Sequence, residues 1–395
     1  MITWLNQLFP MSNISKYYQI GIVRCSYPEI RNFAYAESDL LHFQYTQDAV
    51  EFLRKIWHRI AGVSYSKFLH SFAFPLRTDS RIFHCFNFIV FSTHSWVVTF
   101  ETTLPRYPGL PKWILHLAWS HLASNKCRAI LALSECSKNF LLEDLELNRA
   151  KINNSKLQSI SNKIRVLHPP QSLLIEDYEK DNIVDFDGTL NLVLVGHDFF
   201  RKGGLELLIA VDTLLESGFD IELKIVSKMS AGDYASRAGN AEVVRANTII
   251  EKYPNQILLK GTLPNEDVLD LLRKSHIVCL PTWGETYGYS VLEGQAAGCP
   301  AITTNLRALP EINNSECGWV IEVPKLPSGD GDIGTPEKRK IFQSILIDGI
   351  KLALEEALNN RQKLREKSRL SLKRIRDYHD PKSHQSALLQ IYSSI

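Results

Sequence analysis

The sequence predicts an α/β protein made of two doubly wound parallel sheets, and three observations carry that prediction. Asn191 to Val195 (NLVLV) is short and apolar throughout, as interior strands of parallel sheets are, and it runs into a glycine-bearing turn and an amphipathic helix pattern. His276 to Leu280 (HIVCL) repeats the plan, ends at Pro281, and leads to a helix pattern from about Ser290 that stops at Gly298 before Pro300. In the first half, Tyr18 to Arg24, Ile82 to Val90, Trp96 to Phe100 and Ala129 to Leu133 read as strands, with helices near Asp48 to Ile60 and Pro111 to Ala123. Strand and helix alternate there too, which implies the second sheet.

A length of 395 residues predicts two or three units, each able to bury a sizeable core. Hydrophobic content of 45% and charged content of 22% are those of a soluble globular protein. No apolar run is long enough to span a bilayer. Met1 to Pro10 (MITWLNQLFP) lacks a basic start and a cleavage pattern, so secretion is not expected. Seven cysteines without CxxC pairs fit a reducing cytoplasm, and Cys127 and Cys136 read as core fillers rather than nucleophiles.

The segment from Pro281 to Gly298, PTWGETYGYSVLEGQAAG, places Glu285 and Glu293 eight residues apart beyond a strand end. Ligands of open α/β sheets bind at such ends, and the helix start at about Ser290 offers backbone N–H groups to an anion. Two carboxylates beside a sugar would also suit a glycosidase. If both were helical, eight steps would part them by roughly 12 Å along the axis, whereas glycosidase pairs lie roughly 5 to 9.5 Å apart. A bare E-x7-E is usually an ordinary solvated helix pair; the flanking glycine, proline and strand signals favour two carboxylates touching different parts of one long ligand.

The segment resembles the E-x7-E signature of retaining glycosyltransferases with the GT-B fold, the group known as glycosyltransferase family 4. The resemblance implies two doubly wound Rossmann-like domains facing each other across a cleft, with a C-terminal helix crossing back to the first domain. It implies that Glu293 holds the nucleotide ribose, that Glu285 contacts the donor sugar, and that Tyr287, Gly288, Tyr289 and Ser290, with Thr286 beside them, cradle the diphosphate. The match continues through Cys299 to Thr303 and Leu309-Pro310-Glu311.

A second motif, Gly196 to Gly204 (GHDFFRKGG), follows the strand at Asn191. Its glycines allow close backbone approach, and Arg201 and Lys202 are cations suited to a diphosphate. Alone, Arg-Lys-Gly is usually a helix start on a solvated face; here it resembles the family's motif that neutralises the leaving nucleoside diphosphate, with Gly196 and His197 at the same turn. No G-x-x-x-x-G-K-[ST] or G-x-G-x-x-G accompanies it, so P-loop and dinucleotide readings have no support. Asp185-Phe186-Asp187 matches the cation-holding D-x-D of the other large glycosyltransferase fold, but it lies in the polar run Glu176 to Gly188, which reads as an interdomain linker. No metal and no other cofactor is expected.

The first half departs from the family pattern. The glycine-rich loop after the first strand is replaced by Cys25-Ser26-Tyr27-Pro28. Where many relatives place a histidine near the donor sugar, the strand WVVTF is followed by Glu101, which would either act on the acceptor as a base or hydrogen-bond partner, or be neutralised by Arg106. His84 and His94 read as core or strand-end histidines.

Charge is uneven. Residues 1–180 carry 20 Lys and Arg against 14 Asp and Glu, and residues 361–395 carry 9 against 3. If the tail packs on the first domain, that lobe would attract an anionic acceptor or an acidic membrane; otherwise the tail is a solvated helix face. The expected domains are residues 1–180 for the acceptor, 181–365 for the nucleotide-sugar and 366–395 as helices returning to the first. The expected function is transfer of a hexose from a nucleoside-diphosphate sugar, with UDP, GDP and ADP as candidate nucleotides, to a glycan or lipid-linked glycan, with retention and in bacterial surface polysaccharide or glycoconjugate synthesis. A cytoplasmic location is expected, with peripheral contact at the inner membrane face left open and no nucleic-acid partner. An epimerase or hydrolase of the same fold, or a non-catalytic glycan-binding relative, are the alternatives.

Overall fold

The computed structural model describes residues 17–24, 26–36, 38–61, 69–76, 80–106 and 110–395, so Met1 to Pro10 and Cys25 lie outside the described residues. The chain forms two compact units, one of residues 1–131, 145–165 and 385–395, the other of 132–144 and 166–384. These limits differ from the expected ones at 180 and 365. Residues 166–180 and the helix after Arg361 group with the second unit, and only the last eleven residues group with the first.

The elements of the first stretch are β1 (Tyr18–Ile22), α1 (Tyr27–Asn32), β2 (Leu41–Tyr45), α2 (Ala49–Ala61), β3 (Phe72–Ala73), β4 (Ile82–Phe86), β5 (Ile89–Val90), β6 (Ser95–Phe100), α3 (Lys112–Ala123), β7 (Cys127–Ala132), α4 (Glu135–Leu147), α5 (Asn154–Ser161) and β8 (Ile164–Val166). The sheet runs β2-β1-β4-β6-β7-β8, with β1 parallel to β2 and β4, and β4 parallel to β6. The expected single strand Ile82 to Val90 is in fact two. Asn87 sits at φ +60° and turns the chain, so Ile89 and Val90 leave the main sheet and pair with β3. Asparagine tolerates that left-handed conformation better than most residues.

The second stretch continues with α6 (Asp177–Ile183), β9 (Leu190–Asp198), α7 (Gly204–Glu216), β10 (Ile221–Lys228), α8 (Asn240–Lys252), β11 (Ile257–Leu259), α9 (Asn265–Arg273), β12 (Ile277–Leu280), α10 (Tyr289–Ala296), β13 (Ala301–Thr304), α11 (Leu309–Ile312), β14 (Gly318–Ile321), α12 (Pro336–Asn359), α13 (Arg361–Tyr378) and α14 (Pro381–Ser393). Its sheet is parallel throughout in the order β11-β10-β9-β12-β13-β14. Every residue of β12 and β13 is buried, as are Leu190, Leu192, Val193 and Leu194 of β9, which is why these strands read as unbroken apolar runs. α4 is tied into this unit by Glu311, whose carboxylate accepts the Glu135 and Cys136 N–H groups at 2.7 and 2.8 Å.

The polar run Glu176 to Gly188 is not a linker. It holds α6, and the Lys180 ammonium is buried, donating to the carbonyls of Ser275 and Arg273. Burial pushes that amine below its ordinary value. Three of its acidic residues pair with the basic helix α13: Glu176 with Arg376 at 3.0 Å, Asp181 with Arg369 at 2.8 Å and Asp187 with Arg365 at 3.1 Å. The sequence pattern of a solvated charged linker and that of a charged helix pair are the same until the partner is known. The basic tail therefore does not add its charge to the first unit; residues 385–395, which do group there, contain no Lys, Arg, Asp or Glu.

Those last residues are anchored in the first unit. Leu388 and Tyr392 are fully buried, and the Tyr392 hydroxyl meets His84 Nδ1 at 2.6 Å, while His84 Nε2 meets Thr99 Oγ1 at 2.8 Å. His84 stacks on Phe33 at 3.8 Å, so it is a core histidine, whereas His94 is exposed beside Ser92 at the strand end. Tyr392→Phe removes one bond of this chain and is expected to lower stability by about 1–2 kcal/mol, read as a lower urea midpoint.

Candidate functional site

In the second sheet the strand order reverses between β9 and β12, which lie side by side. Open parallel sheets take ligands beyond the carboxyl ends of strands at such a reversal. Both sequence motifs sit there: residues 196–204 span the end of β9 and the turn into α7, and the 281–288 loop follows β12.

The two loops are stitched together by backbone. The Arg201 carbonyl accepts the Trp283 N–H at 2.9 Å and lies 2.9 Å from the buried Thr282 hydroxyl. Gly203 is in the left-handed region at φ +79°, and a Cβ there would lie 2.0 Å from the Pro281 carbonyl oxygen, so only glycine fits. Gly196 leaves room for the Lys202 stem, since a Cβ would come within 3.0 Å of Lys202 Cγ and Cε.

This stitching brings four charges together. Lys202 Nζ is ion-paired with Glu285, both side chains being about nine-tenths buried. Arg201 holds Asp198 through Nε at 2.9 Å and Nη2 at 2.6 Å, donates from Nη1 to the Gly284 carbonyl at 2.7 Å, and lies over the Tyr234 ring at 5.8 Å. Burial would raise the Glu285 carboxyl, but the Lys202 ammonium beside it, with help from Arg201, holds it below its ordinary value of 4.5. Burial would lower the Arg201 guanidinium, but the bond to Asp198 and the field of Glu285 raise it. Each cation is thus held by a carboxylate at the end of the sheet, Lys202 by Glu285 and Arg201 by Asp198.

Helix α10 begins immediately beyond. Gly288 stands at its N-cap at φ +102°, a turn that glycine makes without strain, and the helix runs from Tyr289 to Ala296. The first N–H groups of a helix have no intrahelical acceptor, so its start offers donors and a positive dipole end to an anion. Glu285 precedes the helix in the loop, its Oε1 accepting the Thr286 N–H at 3.0 Å, while Glu293 lies about one turn inside and is half-buried. Tyr287 is buried with its hydroxyl 3.3 Å from His168 Nδ1, and its ring lies 5.3 Å from that of Tyr289. His197 is exposed near the end of β9.

Lys202 therefore meets Glu285 beside Gly196, Arg201 meets the neighbouring Gly284 carbonyl, and Thr286 to Ser290 and Glu293 follow on the adjoining turn. Glu101 belongs to the first unit, where Arg106 Nη2 pairs with it at 2.6 Å, its N–H donates to Asn87 Oδ1 at 3.1 Å and Asn87 Nδ2 donates to it at 3.3 Å. That is the arrangement of a neutralised strand-end carboxylate. Asp198, Thr282, Tyr234 and His168 were not singled out by sequence reasoning. Asp198 had a signal, three residues before Arg201 in the same turn; the others meet the site only through folding. Asp185 and Asp187 do not converge on one point: Asp185 accepts the Asp187 N–H at 3.0 Å and Asp187 pairs with Arg365.

Because its folded-state value is depressed, ionised Glu285 contributes stability above pH 4.5 that is lost as the pH falls through that lower value. In Lys202→Met the carboxylate keeps its burial and loses its cation. The variant is expected to be less stable by about 3 kcal/mol at neutral pH and to approach the parent as the pH falls below 4.5, which denaturation at a series of pH values measures.

Residues 189–328 match the family described as Glycosyl transferases group 1. A 159-residue stretch is 24% identical to the phosphatidylinositol N-acetylglucosaminyltransferase gpi3 subunit of Schizosaccharomyces pombe, covering 40% of this chain and 33% of that one. The chain spans about a third of the length of the curated relatives it matches. Among solved structures it is similar to a glycosyltransferase from Rickettsia africae, with TM-score 0.57 and 13% identity over 96% of this chain and 98% of that one. It is also similar to Anabaena HepE in complex with UDP, with TM-score 0.56 and 10% identity over 96% and 100%. The chain therefore has the GT-B fold, and its second sheet and motif loops fall within the stretch that matches the group 1 glycosyl transferases.

Proposed function

We propose that the protein is a retaining glycosyltransferase that moves a hexose from a nucleoside-diphosphate sugar to an acceptor hydroxyl. The observation that carries this reading is the cluster of Arg201, Lys202 and Glu285 beside the start of α10, at the reversal of strand order. The diphosphate binds at the α10 N-terminus, over Thr286 to Ser290, and draws on Lys202 and Arg201. As the sugar leaves it, negative charge grows on the terminal phosphate, and cations already charged and held in place stabilise that charge without reorganising. Glu285 accepts hydroxyl hydrogen bonds from the donor sugar, and Glu293 grips the ribose diol. No residue in this account is a nucleophile, and retention rests on front-face attack with a donor phosphate oxygen taking the acceptor proton.

Charge neutralisation in this proposal comes from the protein alone, so turnover is expected to survive EDTA. UDP is the first nucleotide to test, because it is the one bound by the Anabaena relative. The acceptor we propose is a glycan or lipid-linked glycan of bacterial surface polysaccharide or glycoconjugate synthesis.

Calorimetry with UDP, GDP and ADP and their sugars identifies the donor. Glu293→Ala is then expected to raise the nucleotide Kd about tenfold, the loss of a charged hydrogen bond. Lys202→Ala is expected to lower kcat by about 10² to 10³ fold at saturating donor. Unchanged binding and turnover in both variants would sink the assignment, and inverted product in an NMR assay would sink retention alone. Rapid turnover of donor without an acceptor would place the protein with the epimerases or hydrolases instead.

A further inference from the structure

We propose that a cavity of the second unit, walled by Glu206, Trp283 and three cations, binds a small phosphorylated alcohol, and that this ligand tightens nucleotide binding at the neighbouring loops. The cavity measures about 220 Å³ and lies between the first turn of α7, the turn before α8 and the start of α12. One water needs about 15 Å³ of such space, while pockets for drug-sized molecules begin at roughly 300 Å³. The ligand is therefore smaller than a nucleotide. Glu206 is 2% exposed; its Oε1 accepts the Gln343 amide at 2.8 Å, but its Oε2 has no hydrogen-bond partner among the described residues. Trp283 is 3% exposed, its ring stacked on Phe342 at 4.7 Å, and its Nε1 has no partner either. Buried polar groups left this way are costly. Burial pushes the Glu206 carboxyl above its ordinary value of 4.5, with the Gln343 amide and the nearby Trp283 indole opposing the rise. A hydroxyl group suits this pair in either state of the carboxyl, because it both donates and accepts.

Charge defines the rest of the ligand. Arg237, Arg339 and Lys340 line the same cavity, and none of them makes an ion pair among the described residues. Arg339 donates from Nη1 to the Ile333 carbonyl at 2.9 Å, and it and Lys340 bear on the exposed Glu337 through their field alone. Glu242, the other carboxylate of the wall, is engaged by the Gly239 N–H at 2.8 Å. Three cations thus outnumber two carboxylates, one of which burial biases toward its neutral form. A phosphate monoester, close to a dianion at neutral pH, matches that excess better than a carboxylate does. The cavity also touches both loops of the candidate site. Phe200 and Leu205, on its wall, flank the stretch from Arg201 to Gly204, and the Trp283 N–H donates to the Arg201 carbonyl at 2.9 Å while Gly284 accepts Arg201 Nη1 at 2.7 Å. A ligand that holds the Glu206 and Trp283 side chains therefore holds the loops that carry Lys202 and Glu285. Ordering those loops in advance lowers the cost of binding a nucleotide there.

The test titrates the full chain by calorimetry with glycerol 3-phosphate and with a hexose 6-phosphate, inorganic phosphate and the free hexose serving as controls, first without and then with UDP. The parent is expected to bind one ester with a Kd of about 1 mM or below, and about tenfold more tightly than either control. Glu206→Met removes the unpaired oxygen at similar length and is expected to lose more than about tenfold of that affinity without loss of thermal stability. Arg237→Asn/Lys340→Ala, both at exposed positions, is expected to lose a similar factor, asparagine being suited to the φ of +56° at position 237. Ester and UDP are expected to tighten one another by the same factor, about fivefold or more. The ester site is measured without nucleotide, so its failure is distinct from failure of the transferase reading, on which the coupling rests. The proposal is overturned if neither ester binds the parent, if inorganic phosphate binds as tightly as the esters, or if either variant binds the ester as the parent does. It is equally overturned if ester and UDP compete, or if the ester is consumed when a nucleotide-sugar is supplied, which makes it an acceptor. A UDP affinity unchanged by bound ester overturns the coupling.

Discussion

The second unit turns on the contact of Gly203 with the Pro281 carbonyl and the two bonds that converge on the Arg201 carbonyl. Neighbouring parallel strands fix only the bases of the loops that leave them. Here the loops after β9 and β12 are joined to each other above the sheet, so the side chains of Arg201, Lys202 and Glu285 are set by backbone geometry rather than by mutual attraction. Thr304 extends the join to the next strand, its hydroxyl donating to the Thr282 carbonyl at 3.1 Å. The ion pair is then a consequence of the fold, and its burial is tolerated because the partners arrive already aimed.

Asp198 and Glu285 balance Arg201 and Lys202 one for one. Such a site is not a simple positive sink. In the proposed function, attraction for an anion comes from the start of α10 and from exchange of carboxylate for phosphate at Lys202; in the structure itself the carboxylates keep both cations from being buried unpaired. A short, compact ammonium can be shared between two acceptors more readily than a guanidinium already committed at three nitrogens, which separates the parts the two cations play.

Much of the second unit was legible in the sequence because its signals are local. NLVLV and HIVCL are apolar on both faces because both faces of a parallel strand are covered, and the glycines and Pro281 mark where the chain turns toward the next helix. The resemblance then linked two motifs far apart in sequence, and the fold brings them together. The failures share a cause. Glu176 to Gly188 looked like a solvated linker because its partners, on α13, are nearly two hundred residues away. β2, with one buried residue in five, has the pattern of an edge strand and no apolar run to reveal it. Asn87 breaks IFHCFNFIV although its composition is that of one strand, since the left-handed turn depends on a single residue. Tyr234, Thr282 and His168 reach the site through long-range packing that no local pattern encodes.

The anchoring of Leu388 and Tyr392 beside His84 bears on how the chain is made. The first unit is built mostly from the beginning of the chain, yet part of its core is supplied by residues synthesised more than two hundred positions after its last internal segment ends. Domains of multi-unit chains usually fold in the order in which they leave the ribosome. Completion of the first unit therefore waits for residues 385–395, and until they are made the surface around Phe33 and His84 lacks the cover that Leu388 and Tyr392 give it.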